Sequence, residues 1–342
     1  MLNVAIIGVG MVADIHYRAL RDLSDIAVIS GVFARNPERL AQFCEARSLT
    51  PAASLEALFA DPGLDAVIVL TPPNARREIV AQAAAAGKHV LMEKPVERDT
   101  AAAGELVAIA REAGITLGVV FQHRFRAASI KLREMLAEGR FGALGCAMVE
   151  VPWWRPQSYY DEPGRGTYAR DGGGVLINQA IHTLDLLLSF TGPVREVSAL
   201  MGTTRLHRME AEDFVSAGLR FESGGFGSIA ATTAAYPGDA ESIVLHHEHA
   251  SARLQSGTLT VSWHDGRSES FGEPSGTGGG ADPMAFPHDW HASALRDFLE
   301  AIRDGRQPIV NGEEALKVHA LIDAMTRSSA EGRAVTLEGE RA

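Results

Sequence analysis

The chain has 342 residues, 46% apolar and 22% charged, with 34 glycines and 15 prolines. This is ordinary globular composition with chain enough for two cores, and it excludes collagen-like, coiled-coil and disordered classes. A net charge of −11 argues against nucleic acid or an anionic membrane as partner, since both need a clustered positive field, and leaves small-molecule chemistry.

The first third alternates short β-branched apolar runs with amphipathic stretches, the pattern of parallel strands joined by crossover helices. Strands are predicted near 2–8, 28–33, 65–70, 88–92 and 115–120, and helices near 12–23, 37–47, 74–86 and 99–113. That order specifies a doubly wound parallel sheet over residues 1–121. From 122 to 342 the pattern changes: a helix near 126–138, a strand near 143–151, an aromatic loop and an apolar helix over 173–190. Runs at 194–201, 213–221, 226–234, 242–249 and 258–263 predict a largely antiparallel sheet. The Gly- and Pro-rich segment 272–287 predicts a loop suited to act as a lid, and helices near 288–304 and 312–331 finish the chain.

Gly8-Val9-Gly10-Met11-Val12-Ala13 follows a strand and opens a helix, the context in which such a turn cradles a pyrophosphate. Gly8 allows the tight turn and Gly10 the close approach of backbone N–H groups. Ala34-Arg35-Asn36 ends the second strand with no carboxylate for a ribose 2′-hydroxyl. Arg35 offers a cation to a 2′-phosphate, which leans toward NADP; stacked on adenine, it would serve NAD. At the end of the fourth strand, Glu93-Lys94-Pro95 puts an ionisable pair where open α/β sheets bind ligands, with a cis bond one way for Pro95 to turn the chain. A surface ion pair would read the same way. In the helix after Gly172-Gly173-Gly174, Asn178, His182 and Asp185 interrupt an apolar face. Asn178 and His182 are four apart, and Asp185 could accept from the imidazole and fix its tautomer.

These segments, with Thr71-Pro72-Pro73-Asn74 and residues 87–95, resemble the Gfo/Idh/MocA oxidoreductases over nearly the whole chain. The resemblance implies a Rossmann domain followed by an α+β domain with a large, mainly antiparallel open sheet, often forming a homodimer or homotetramer. It implies a catalytic role for Lys94, beside nicotinamide, and for His182 as acid/base. Cofactor contacts are implied for Thr71, Pro72, Pro73, Asn74, Glu93 and Gln122. Asn178 stands where many members carry Asp, so it fits a substrate hydroxyl better than a proton. Arg76 stands where members often carry His. Arg124 reads as a substrate ligand or a structural tie.

Aromatics and arginines cluster at Trp153-Trp154-Arg155, Tyr159-Tyr160 and Arg165–Arg170. Trp154, Arg155, Tyr160 and Tyr168 suit a sugar pocket; the same residue types also anchor subunit contacts. His246, His247 and His249 crowd one strand and favour a solvated surface over a metal site. Cys44 and Cys146 cannot make a disulfide framework, which points to a reducing cytoplasm, and neither a secretory leader nor a membrane span is expected. The expected activity is a dehydrogenase using NADP or NAD on a secondary alcohol of a sugar, polyol or sugar acid. A glycosidase holding NAD tightly and a non-catalytic dinucleotide-binding regulator are the rivals.

Overall fold

The structure is a computed structural model in which residues 1–274 and 286–337 are described. They form two compact units: Met1–Gln122 with His288–Leu316, and His123–Pro287 with Lys317 onward. The loop predicted at 272–287 falls mostly on residues 275–285, outside the described residues.

In the first unit, β1 (Leu2–Ile7), β2 (Ala27–Phe33), β3 (Ala66–Val69), β4 (His89–Glu93) and β5 (Leu117–Val120) form one parallel sheet in the order β2-β1-β3-β4-β5. Every residue of β3 and β5 is buried, as a sheet covered on both faces requires. The crossovers carry α1 (Ala13–Asp22), α2 (Pro37–Glu45), α3 (Leu55–Phe59), α4 (Arg76–Ala85) and α5 (Thr100–Glu112). Side chains of Asn36, Ser54 and Asp99 cap α2, α3 and α5. The sequence reading missed α3, which at five residues gives no periodicity to detect.

The second unit starts with α6 (Ala127–Ala137), β6 (Leu144–Pro152), α7 (Gln157–Tyr160) and α8 (Tyr168–Asp171). A π-helical turn, Leu176–Ala180, then runs into α9 (Ile181–Thr191). The predicted helix over 173–190 thus starts late, because Gly172 and Gly173 hold φ values of 82° and 154° that no helix admits. Strands β7 (Val194–Gly202), β8 (Phe214–Phe221), β9 (Phe226–Thr232), β10 (Ser242–His247), β11 (Ala250–Gln255), β12 (Thr258–Trp263) and β13 (Ser268–Phe271) follow. The strand predicted over 242–249 breaks after His247, and β11, which no predicted strand covers, pairs back on β10 as a hairpin.

After the undescribed segment come α10 (Asp289–Asp304), α11 (Gly312–Glu331) and β14 (Val335–Thr336). The second sheet has nine strands in the order β13-β12-β11-β10-β6-β9-β8-β7-β14, antiparallel except for the β6–β9 pair. Alternate residues of β8 are buried and exposed, so one face of this sheet is left to solvent. No described helix is long and apolar enough to cross a membrane.

Helix α10 belongs to the first unit's core. Its buried Leu295, Phe298 and Leu299 cluster with Val4, Ile6, Leu20, Leu91 and Val120. A Cβ added at Gly118 would sit 2.8 Å from the Phe298 ring, so β5 is bare there to admit it. Truncating Phe298 to Ala should therefore cost about 3–5 kcal/mol of stability, measured by urea denaturation.

Candidate active site

The turn from β1 into α1 is shaped by Gly8. Its φ is +106°, and a Cβ there would lie 3.1 to 3.3 Å from the backbone of Leu70 and Thr71. Gly10, by contrast, faces open space, with nothing within 4 Å of an added Cβ, and Met11 beside it is about half exposed. Val12 precedes α1 with no side-chain cap. The open approach at Gly10 and the start of a helix fit a dinucleotide pyrophosphate. At the end of β2, Ala34 is half-buried and Arg35 exposed, while the Asn36 side chain accepts from the Arg39 N–H at 2.9 Å.

Thr71, Pro72, Pro73 and Asn74 follow the carboxyl end of β3, with Asn74 exposed. Among the described residues, the buried hydroxyl of Thr71 and the amide oxygen of buried Gln122 have no hydrogen-bond partner. Polar atoms in that condition mark places where a ligand can complete the bonding.

Lys94 is half-buried just beyond β4, and its bond to Pro95 is cis. The Glu93 carboxylate lies beneath it, engaged within the unit. One oxygen accepts from His16 Nε2 at 2.7 Å, and the other from the Lys94 backbone N–H at 3.2 Å. His291 Nε2 stands 3.7 Å from the first of these. Burial alone would raise the Glu93 pKa, but the His16 hydrogen bond and the charges of His16, His291 and Lys94 outweigh it and bring it to about 2. Burial pushes His291 down to about 3, with repulsion from His16 adding to the effect. His16, Glu93 and His291 could each offer a ligand atom to a metal, all within 4.8 Å. The 2.7 Å approach of His16 to Glu93 is a hydrogen-bond length, whereas donors about 2.0–2.1 Å from one tetrahedral zinc stand roughly 3.3 Å apart.

In the second unit, Glu212 builds the helix start. Its carboxylate accepts from the N–H groups of Gly174 and Leu176, each at 3.0 Å, and its carbonyl from that of Val175 at 2.9 Å. A Cβ at Gly174 would fall 1.7 Å from the Glu212 carbonyl oxygen, so only glycine fits. Burial raises the Glu212 pKa, and the backbone donors oppose that rise. Nothing in the local sequence flagged Glu212, because its partners lie 36 and 38 residues away.

The Asn178 amide donates to the carbonyls of Gly173 and Gly174 at 2.8 and 3.1 Å. His182, buried in α9, stacks on His123 with ring centroids 4.9 Å apart. Asp185 takes a bidentate pair from Arg124, both bonds 2.7 Å, with both side chains buried. Arg124 was read as a ligand or a tie and Asp185 as a partner for the imidazole; the structure makes the two partners of each other. His123 is also held by Arg126 at 2.6 Å, and Arg126 by Glu241 at 2.6 Å. Arginine can only donate, so His123 Nε2 accepts and its hydrogen sits on Nδ1, which faces Glu241 at 4.0 Å.

The aromatic segment packs on itself. Arg155 is buried, lies over the Trp153 ring and donates to the Trp154 carbonyl at 2.8 Å. The Tyr160 hydroxyl bonds Thr233 at 2.6 Å, and burial raises its pKa. Trp154 is half-buried beside His207 and Tyr236, and Tyr168 is exposed at the start of α8. His246 and His247 bond Ser251 and the Gly142 carbonyl.

Comparison with known proteins decides what this framework is. The oxidoreductase family with an NAD-binding Rossmann fold matches residues 2–121, and the GFO/IDH/MocA C-terminal domain matches residues 129–253. The chain is 30% identical to 1,5-anhydro-D-fructose reductase of Ensifer adhaerens over 293 residues, 83% of each chain. The chain belongs to the GFO/IDH/MocA oxidoreductases. It is also 25% identical to myo-inositol 2-dehydrogenase of Thermotoga maritima, covering 98% of this chain and 99% of that one. The WlbA dehydrogenase of Bordetella pertussis, solved with NADH and UDP-GlcNAcA, superposes with a TM-score of 0.85 at 31% identity over 99% of both chains. Membership accounts for the parallel sheet, the glycine turn and the mainly antiparallel second sheet together.

Both Glu93 and His291 titrate below their ordinary values, 4.5 and 6.5, so each contributes stability that is complete above its ordinary value and is lost as pH falls. For His291 the window runs from 6.5 down to about 3, and for Glu93 from 4.5 down to about 2. Wild-type protein should lose on the order of 3 kcal/mol through His291 by pH 4. A His291→Gln variant should show a shallower fall of Tm between pH 7 and 4 in calorimetry.

Proposed function

We propose that the protein is an NAD(P)-dependent dehydrogenase of a secondary alcohol on a sugar, polyol or sugar acid, with NADP(H) preferred. The observation that carries this reading is Lys94 at the carboxyl end of β4, its backbone fixed by a buried ionised Glu93, in a unit whose glycine turn fits a dinucleotide. The named activities of relatives, on 1,5-anhydro-D-fructose and myo-inositol, supply the substrate class. When bound, a nicotinamide dinucleotide would supply the hydride chemistry at the substrate carbon. Lys94 donates a hydrogen bond to the oxygen that gains charge as the alcohol is oxidised, and His182 takes the hydroxyl proton at an imidazole nitrogen.

Gly8, Gly10, Met11 and Val12 would hold the pyrophosphate. Arg35, exposed at a strand end without a carboxylate, would pair with a 2′-phosphate. Thr71, Pro72, Pro73, Asn74 and Gln122 would border the nicotinamide side, the Thr71 hydroxyl and Gln122 oxygen being the polar atoms in want of partners. Asn178, Trp154 and Tyr168 are the substrate contacts best supported by exposure; Arg155 and Tyr160 would support them from beneath. Arg124 and Asp185, bonded to each other, would hold α9 in place around His182.

The open face of the nine-stranded sheet exposes Met148, Leu200, Phe214 and Phe226 on neighbouring strands β6, β7, β8 and β9. We propose that a second copy covers it. Free Cys44 and Cys146 are compatible with a reducing cytoplasm as the working compartment.

A panel of monosaccharides, inositols and uronates, assayed by absorbance with each dinucleotide, should give net NADPH with at least one free sugar; a glycosidase would return its hydride and accumulate none. Lys94→Ala should lower kcat by about a hundredfold or more while NADPH affinity, by fluorescence titration, changes less than about threefold. Turnover equal to wild type would reject the role given to Lys94. Arg35→Asp should shift the ratio of kcat/KM values toward NAD by about tenfold or more.

A further inference from the structure

Arg76 opens α4 immediately after the turn that begins at Thr71, and it is the bulkiest fully buried side chain type in its unit, only 2% exposed. Its guanidinium reaches three backbone carbonyls. Nε and Nη2 donate to the Thr71 carbonyl at 3.0 and 2.8 Å, and Nη1 donates to the carbonyls of Glu93 and Pro95. Glu93 and Pro95 are the residues on either side of Lys94. The Lys94 N–H is meanwhile taken by the Glu93 carboxylate, itself held by His16. The peptide that carries Lys94 is thus gripped on the carbonyl before it, the carbonyl after it and its own N–H.

Burying a guanidinium is costly, and removing it from water pulls its pKa down to about 10 against the support of Glu93 and Glu97. A planar fork with five donors serves the three carbonyls from fixed, well-separated directions; a lysine ammonium also has three donors, but on one compact nitrogen at the end of a flexible stem. The same flexibility applies to Lys94 itself. Its four-carbon stem places the ammonium reproducibly only if its backbone is fixed.

We propose that Arg76 is a positioning residue that ties the Lys94 peptide to the Thr71–Pro73 turn, with Glu93 and His16 completing the hold. The catalytic consequence rests on the role proposed for Lys94; the structural hold does not. A bound dinucleotide bordering Thr71 and the amine beyond β4 would then share one rigid link, so that displacing either displaces the other.

The first measurement needs no turnover. Trace acetic anhydride labelling of the folded protein across pH, read by peptide mass spectrometry with Lys131 as internal reference, reports the exposure of the Lys94 amine. In Arg76→Lys and Arg76→Ala the Lys94 profile should change by at least about threefold in rate while Lys131 does not move. Should Arg76→Ala fail to fold by circular dichroism, Arg76→Lys carries the test alone. The second measurement is turnover of the panel sugar with the highest rate. Both variants should lose about tenfold or more in kcat with a smaller change in sugar KM, and 50 mM guanidinium chloride, but not sodium chloride, should restore part of the loss in Arg76→Ala. Wild-type labelling profiles in both variants would overturn the proposal. Altered profiles together with an active Lys94→Ala enzyme would keep the hold and instead remove Lys94 from the chemistry.

Discussion

Glu93 keeps its charge inside the first unit because its donors outweigh the penalty of burial. His16 hydrogen-bonds one oxygen, the Lys94 N–H the other, and nearby positive charge favours the ionised form. The balance fixes more than a carboxylate. β4 ends at Glu93, so whatever immobilises that side chain also determines where the chain goes next, and Lys94 is what comes next. A carboxylate at the surface of the same strand end would exchange its partners with water and leave the following residue free to wander. Helix α10 takes part as well: the apolar stripe of Leu295, Phe298 and Leu299 that docks it also delivers His291 to within 3.7 Å of Glu93. Hydrophobic burial and the electrostatics of the strand end are therefore not separable in this unit.

The second unit solves a similar problem with glycine. Three consecutive glycines let the chain turn under the Glu212 backbone, where a single methyl group at Gly174 would collide with a carbonyl oxygen. Glu212 then satisfies N–H groups that any helix leaves open at its start. Asn178 adds its amide to the carbonyls of the same glycines. The π-helical turn and α9 are anchored at their origin before any contact by His182 is considered. Farther along α9, the Arg124–Asp185 pair, buried and bidentate, restrains the helix from a different segment of chain. Breaking one partner of such a pair strands the other charge in a dry site, which is why both must be kept together.

Periodicity carried the sequence reading wherever burial is regular. Strands β1, β3 and β5 are short apolar runs, and β8 alternates cleanly, so their existence and the two types of sheet could be read directly. The strand predicted over 242–249 overran β10 by two residues and β11 was missed, because Glu248 and His249, which separate them, include no glycine or proline to mark a turn. α3 escaped for the opposite reason, being capped by Ser54 but too short to show a stripe. The glycine turn, Lys94 and His182 were visible as local motifs. Arg76 was noticed only as a departure from a family pattern, and Glu212 and His16 not at all. Apart from the Arg76 bonds to Thr71, the partners named for them are separated from them by 17 to 77 residues, and hydrogen bonds across such distances leave no spacing to recognise.

What local pattern omits is the layer of buried side chains that supports the motifs. A motif such as Glu-Lys-Pro specifies residue types at a strand end, but a lysine there could as well be solvated and mobile. The difference lies in Arg76, whose identity makes sense only once the carbonyls of Thr71, Glu93 and Pro95 are seen to converge on it. Substituting another residue at position 76 leaves the motif intact to the eye while removing the donors that hold it. How firmly the lysine of this motif is held is therefore written in a buried position outside the motif, whose guanidinium bonds the backbone carbonyls around it.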